Sequence, residues 1–133
     1  MEISIYTDGG ARGNPGPSAI GVVIKDHKGK VLEKIGKFIG STTNNDAEYK
    51  ALLEGLQTAG HMGAKIINCH LDSELVVKQM NGNYKVKNSN LKTLWKEIKI
   101  LENTFSKVTY RHIPREKNYE ADALVNQVLD SLN

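Results

Sequence analysis

The spacing of apolar residues changes character at Asn44, and that change limits the folds open to the chain. Before it the pattern is that of strands: Ile3, Ile5 and Thr7 alternate with Ser4 and Tyr6, and "SAIGVVIKD" and "VLEKIGKFIG" read as two more. The turn "DHKGK" carries the Lys-Gly pair of a tight hairpin, so the first third is a three-stranded meander. From Asn44, Ala47, Ala51, Leu52, Leu56 and Ala59 recur at helical spacing, and Gly60 is a natural stop. Next come a strand, "KIINCHL", a short helix starting near Ser73 and a polar loop, "NGNYKVKNSN". A further helix, "NLKTLWKEIKILENTF", puts Leu91, Leu94, Trp95, Ile98, Leu101 and Phe105 on one stripe. The strand "KVTYRHI" ends at Pro114, and "NYEADALVNQVLDSL" is a last helix with Ala121, Leu124, Val125, Val128, Leu129 and Leu132 inward. The order βββαβαβα implies an α/β fold: a mixed five-stranded sheet with helices on both faces.

At 133 residues, with no repeat, linker or low-complexity segment, the chain reads as a single domain, 1–133, able to bury a core without disulfides. No apolar stretch is long enough for a bilayer, and "MEISIY" lacks the basic and apolar regions of a signal peptide, so the expected setting is cytoplasmic, with no membrane partner. Cys69, the single cysteine, agrees with a reducing compartment and reads as a small buried apolar residue. A net charge of +3 permits a polyanionic partner without demanding one.

Four acids fall at the ends of elements. Asp8 closes the first strand and Asp72 the fourth, Glu48 lies in the first turn of the first helix, and Asp122 in the first or second turn of the last. Ligands of open α/β sheets gather outside the carboxyl ends of strands, so neighbouring first and fourth strands would place Asp8 and Asp72 side by side, with both helical acids in reach. Carboxylates at close range raise one another's pKa, and a divalent cation removes the repulsion. An all-oxygen ligand set favours Mg²⁺ or Mn²⁺ over Zn²⁺, and Mg²⁺ sites commonly meet phosphates, which points to a phosphodiester substrate. Gly9 and Gly10 would then leave open space beside Asp8 for a sugar-phosphate backbone. Singly, each acid has a local explanation: Asp8 as a turn residue, Asp72 as an N-cap, Glu48 in a capping box with Asn45, Asp122 at the positive end of a helix dipole. Jointly they point to a metal site.

These residues resemble the type 1 ribonucleases H. The stretches "YTDGGARGNPGPSAIGVVI", "TTNNDAEYKALLEGL", "LDSELVV" and "REKNYEADALVN" are similar to that family's motifs over nearly the whole chain. The resemblance implies an RNase H-like fold and an endoribonuclease that cuts the RNA strand of RNA–DNA hybrids. It implies catalytic, metal-binding roles for Asp8, Glu48, Asp72 and Asp122, and substrate contacts by Gly9, Asn14, Asn44 and Asn45, with RNA recognised largely through its 2′-hydroxyls. The implied mechanism is a two-metal displacement by water, leaving 5′-phosphate and 3′-hydroxyl ends, with two Mg²⁺ per site and Mn²⁺ as the alternative. Duplex RNA is a second candidate substrate, a monomer is the default state, and a non-catalytic nucleic-acid-binding module is the rival from another class.

The chain also departs from its longer relatives. "GNYKVKNSN" stands where they carry a basic protrusion, and the chain reads as a short form, expected to lack a separate hybrid-binding domain, in which Lys85 and Lys87 are candidate phosphate contacts, while Lys99 and Trp95 read as core. His112 precedes Asp122 by the family's usual ten residues, but its alternation with Val108 and Tyr110 makes it a strand residue. Arg115, in the shortened loop, is the other candidate auxiliary group. Glu74 replaces a commonly neutral amide and cannot donate a hydrogen bond to substrate.

Overall fold

A computed structural model describes residues 1–132. Its elements are β1 (Glu2–Ala11), β2 (Gly16–Asp26), β3 (Val31–Thr42), α1 (Asn44–His61), β4 (Ile66–Leu71), α2 (Glu74–Met80), α3 (Ser89–Glu102), β5 (Lys107–His112), a 3₁₀ turn (Arg115–Asn118) and α4 (Tyr119–Asp130). The sheet runs β3-β2-β1-β4-β5, antiparallel through the meander and parallel from β1 to β4 and β5. A parallel neighbour needs a long crossover. α1 supplies the first; α2 and α3 share the second, so its single α stands for two helices.

Alternation along the strands sends successive side chains to opposite faces. Ile3 and Ile5 of β1, Val22 and Ile24 of β2, and Ile67 and Cys69 of β4 are buried in the larger core, with Leu52 and Leu56 of α1. The other face holds a smaller core, where Ala19 of β2 meets Val125 and Leu129 of α4. Glycines let both helices come close. A Cβ on Gly9 would overlap the Ala47 carbonyl of α1, and one on Gly21 would overlap the Ala121 carbonyl of α4. Gly21 pairs with Asp8, so α4 lies against the sheet directly beside that acid.

Three expectations need correction. β1 does not end at Asp8: it continues through Gly9 and Gly10 to Ala11, because β2 extends the antiparallel ladder to Ala11–Ser18. α3 stops at Glu102, and Phe105 reaches the core from the turn beyond it, under Gly60. Leu132 does not face inward, since α4 ends at Asp130 and leaves Leu132 exposed. Among the described residues, no helix is long and apolar enough to cross a membrane.

Candidate active site

The parallel ladder between β1 and β4 closes with Thr7–Leu71, and the next residue on each chain is an acid, Asp8 and Asp72. β1 goes on beyond this point only as a partner of β2, so Asp8 stands at the edge of the parallel half of the sheet. α1 crosses Gly9 closely enough to bring Glu48 to the same place. Carboxylate oxygens of Asp8, Glu48 and Asp72 lie within 4.8 Å of one another. Asp122, in the first turn of α4, lies outside that group of three but lines the same cavity of about 330 Å³.

Crowding three acids in a closed corner changes their chemistry. Burial first, and then the Asp72 carboxylate, raise Asp8 from 3.8 to about 7, with Asp122 adding to the rise and a hydrogen bond to Glu48 opposing it. Glu48 is pushed well above its ordinary range by burial and then by Asp8 and Asp72. Its Oε2 is buried without a hydrogen-bond partner, although such an atom normally has one. An orphaned carboxylate oxygen, two neighbouring acids and an all-oxygen donor set fit a hard divalent cation.

The local explanations of the acids fare differently. The N-cap of α1 is Thr43, whose hydroxyl accepts from the Asp46 N–H, so Glu48 forms no capping box with Asn45. Ser73 caps α2, which frees Asp72 from that task. Asp122 does lie where a helix dipole favours an acid. The open space expected beside Gly9 and Gly10 is a further correction: the backbone of α1 occupies it at Gly9, and Val125 Cγ1 lies 3.3 Å from a Cβ built on Gly10.

Asn14 and Asn44 fasten the β1–β2 turn to α1. The Asn44 N–H donates to Asn14 Oδ1 at 3.0 Å, and the Ala11 N–H donates to Asn44 Oδ1 at 2.9 Å. Both therefore use their carbonyl oxygens internally and present their NH₂ groups as donors. With exposed Asn45 they line a second cavity of about 440 Å³, to which Asn88 and Asn90 of the α3 N-terminus contribute.

Arg115 lines the acid-bearing cavity, and its Nη2 donates to Asp122 Oδ1 at 3.4 Å. His112 is the exposed last residue of β5 and does not line that cavity. Trp95 donates its indole N–H to the Gln79 carbonyl, and Lys99 its ammonium to that of Met80, which places both against the core. Lys85 and Lys87 are exposed, and Glu74 pairs with Lys78 at 3.1 Å. Two polar cavity residues escaped the sequence reading. Arg12 also lines the site and pairs with Asp130 at 2.6 Å, while Asn126 donates to Asp122 Oδ2 at 3.3 Å. Helical spacing from Asp122 would have flagged Asn126, but nothing local marks Arg12.

A family model described as "Reverse transcriptase-like" matches residues 6–128. The bifunctional protein Rv2228c of Mycobacterium tuberculosis is 41% identical over 133 residues, covering 98% of this chain and 36% of its own length. The chain thus spans about a third of the mycobacterial relatives it matches. A ribonuclease H of Lachnoclostridium phytofermentans is 31% identical over 153 residues, covering 100% of this chain and 95% of the relative. The crystal structure of LC11-RNase H1 in complex with an RNA/DNA hybrid superposes with a TM-score of 0.91 at 48% identity, over 96% of each chain.

Proposed function

Since the chain belongs to the ribonuclease H family, we propose that it is an endoribonuclease that hydrolyses the RNA strand of RNA–DNA hybrids. The observation that carries this reading is the convergence of Asp8, Glu48 and Asp72 within 4.8 Å at the carboxyl edge of the parallel strands. The hybrid bound by LC11-RNase H1 supports the substrate class.

Asp8, Glu48, Asp72 and Asp122 would hold two Mg²⁺, with Mn²⁺ as the alternative, and bound there the ions supply Lewis-acid activation of water and neutralisation of charge on the departing 3′-oxygen. The rest is done by the protein. The closed corner under α1 keeps Asp8 and Glu48 out of bulk solvent, so their ionised forms lack water and would gain more from a cation placed between them. The amide NH₂ groups of Asn14 and Asn44, both groups of Asn45, and the main chain at Gly9 would meet the 2′-hydroxyls of the RNA strand. Arg115, anchored on Asp122, lines the same cavity, where its guanidinium would assist departure of the product phosphate. The P–O3′ bond breaks as the water oxygen bonds to phosphorus, leaving a 5′-phosphate and a 3′-hydroxyl. Lys85 and Lys87 would contact phosphates of the DNA strand, and the chain acts as a single-domain monomer.

The test is cleavage of an end-labelled hybrid, beside duplex RNA and duplex DNA, in Mg²⁺, Mn²⁺ and EDTA, by the wild type and Asp8→Asn. Metal-dependent loss of the hybrid's RNA strand, abolished by the substitution, is the expected result. An intact hybrid with folded protein overturns the reading, and cleavage of duplex RNA alone reassigns the substrate.

A further inference from the structure

Asn118 occupies the N-cap position of α4, where an asparagine ordinarily turns its side chain back onto the first free N–H groups of its own helix. Here it makes no such bond. The side chain is 1% exposed and points the other way: Nδ2 donates to the Thr7 carbonyl at 2.9 Å and to Asp72 Oδ2 at 2.9 Å. Turning the amide over would set its oxygen against a carbonyl and a carboxylate, both acceptors, so only the NH₂ can face them. The remaining oxygen, Oδ1, is buried without a partner. The side chain is therefore oriented by the two acceptors alone.

Those acceptors belong to the acid-bearing elements. The Thr7 carbonyl is part of the peptide bond that leads into Asp8, Asp72 is itself one of the clustered acids, and Asn118 opens the helix that carries Asp122. We propose that Asn118 is a positioning residue for the metal site: one amide ties β1, the end of β4 and the start of α4 together and leaves Asp72 one oxygen, Oδ1, free to turn towards Asp8 and Glu48. This rests on the reading that the acids hold divalent ions. Partners that orient metal-binding carboxylates commonly change metal affinity ten- to a hundredfold when removed.

The test uses Asn118→Asp, which keeps the shape but loses both N–H groups, and Asn118→Ala, which loses shape and donors together. Mn²⁺ affinity of the substrate-free protein is measured by calorimetry below the thermal transition, and kcat and KM on the hybrid are measured beside it. The expected result is Mn²⁺ affinity weaker by about tenfold or more in both variants, with kcat reduced and KM for hybrid within about twofold of wild type. If Asn118→Asp binds Mn²⁺ and turns over like the wild type, the amide only fills space and the inference is overturned. It is overturned equally if both variants lose thermal stability but keep metal affinity and kcat, or if neither folds. A wild type that binds Mn²⁺ without cutting the hybrid overturns the proposed substrate, while the Mn²⁺ comparison still decides the role of Asn118.

Discussion

Asp8 carries two opposed consequences of its position. Its carboxyl titrates near 7 in the folded, metal-free protein and near 3.8 when unfolded, so the folded state holds the proton more tightly. The stabilisation from that proton is complete below about 3.8 and lost as pH rises through about 7; Glu48, also raised, adds in the same direction. In EDTA the thermal midpoint should therefore fall between these values, and Asp8→Asn, which cannot ionise, should raise stability at pH 8 by roughly 1–3 kcal/mol while abolishing cleavage. Thermal melts across pH check this, and a midpoint lower than wild type at pH 8 would contradict it. The proposed Mg²⁺ would need the ionised acids, so its stabilising effect should grow over the same range. Arg115 and His112 separate by location. Arg115→Ala should lower kcat about tenfold, and His112→Ala should leave it within about twofold; equal effects in steady-state kinetics would reject the assignment.

Two helices approach the sheet at glycines, and the site depends on both approaches. At Gly9 the backbone of α1 takes the place of a side chain, and that contact brings Glu48 to Asp8. Gly9→Ala must push α1 outward, so it should cost about 2–4 kcal/mol in urea unfolding and more than tenfold in kcat. Gly40→Ala is the informative contrast: a Cβ there meets nothing within 4 Å, but φ is +83°, so the penalty is backbone strain of about 1 kcal/mol with kcat unchanged. A Gly9→Ala variant with wild-type turnover would show that the approach of α1 does not position Glu48.

Over the whole molecule the net charge of +3 is modest for a protein proposed to meet a polyanion, and four of the acids are gathered in one corner. Arg12 and Arg115 offset part of that charge in the cavity itself, and exposed Lys85 and Lys87, between α2 and α3, are the proposed contacts outside it. Replacing both by Gln should weaken hybrid binding and reduce the slope of log K against log salt by roughly one per lysine. Fluorescence anisotropy titrations at several salt concentrations measure this, and an unchanged slope would remove the lysines from the interface.

Much of this architecture was legible in the order of residues, because apolar period and turn chemistry are local. The five strands, the helices and the element-end positions of Glu48, Asp72 and Asp122 follow from spacing that neighbouring residues enforce on one another. The gathering of acids was legible in part for the same reason, since the element ends that carry them fall at one edge of the sheet, where Asp8, Glu48 and Asp72 converge. What required the fold was everything set by contact between distant segments. That β1 runs past Asp8 depends on its pairing with β2, and the purpose of Gly9 depends on how near α1 lies. Whether Glu48 caps a helix or joins the acids is decided by Thr43 taking the cap. Asn118 stands at the N-cap position of α4, and only packing at a separation of 111 residues turns its amide towards Thr7. Periodicity records which face of an element is buried, whereas the pKa of Asp8 and the aim of Asn118 depend on what is buried against them.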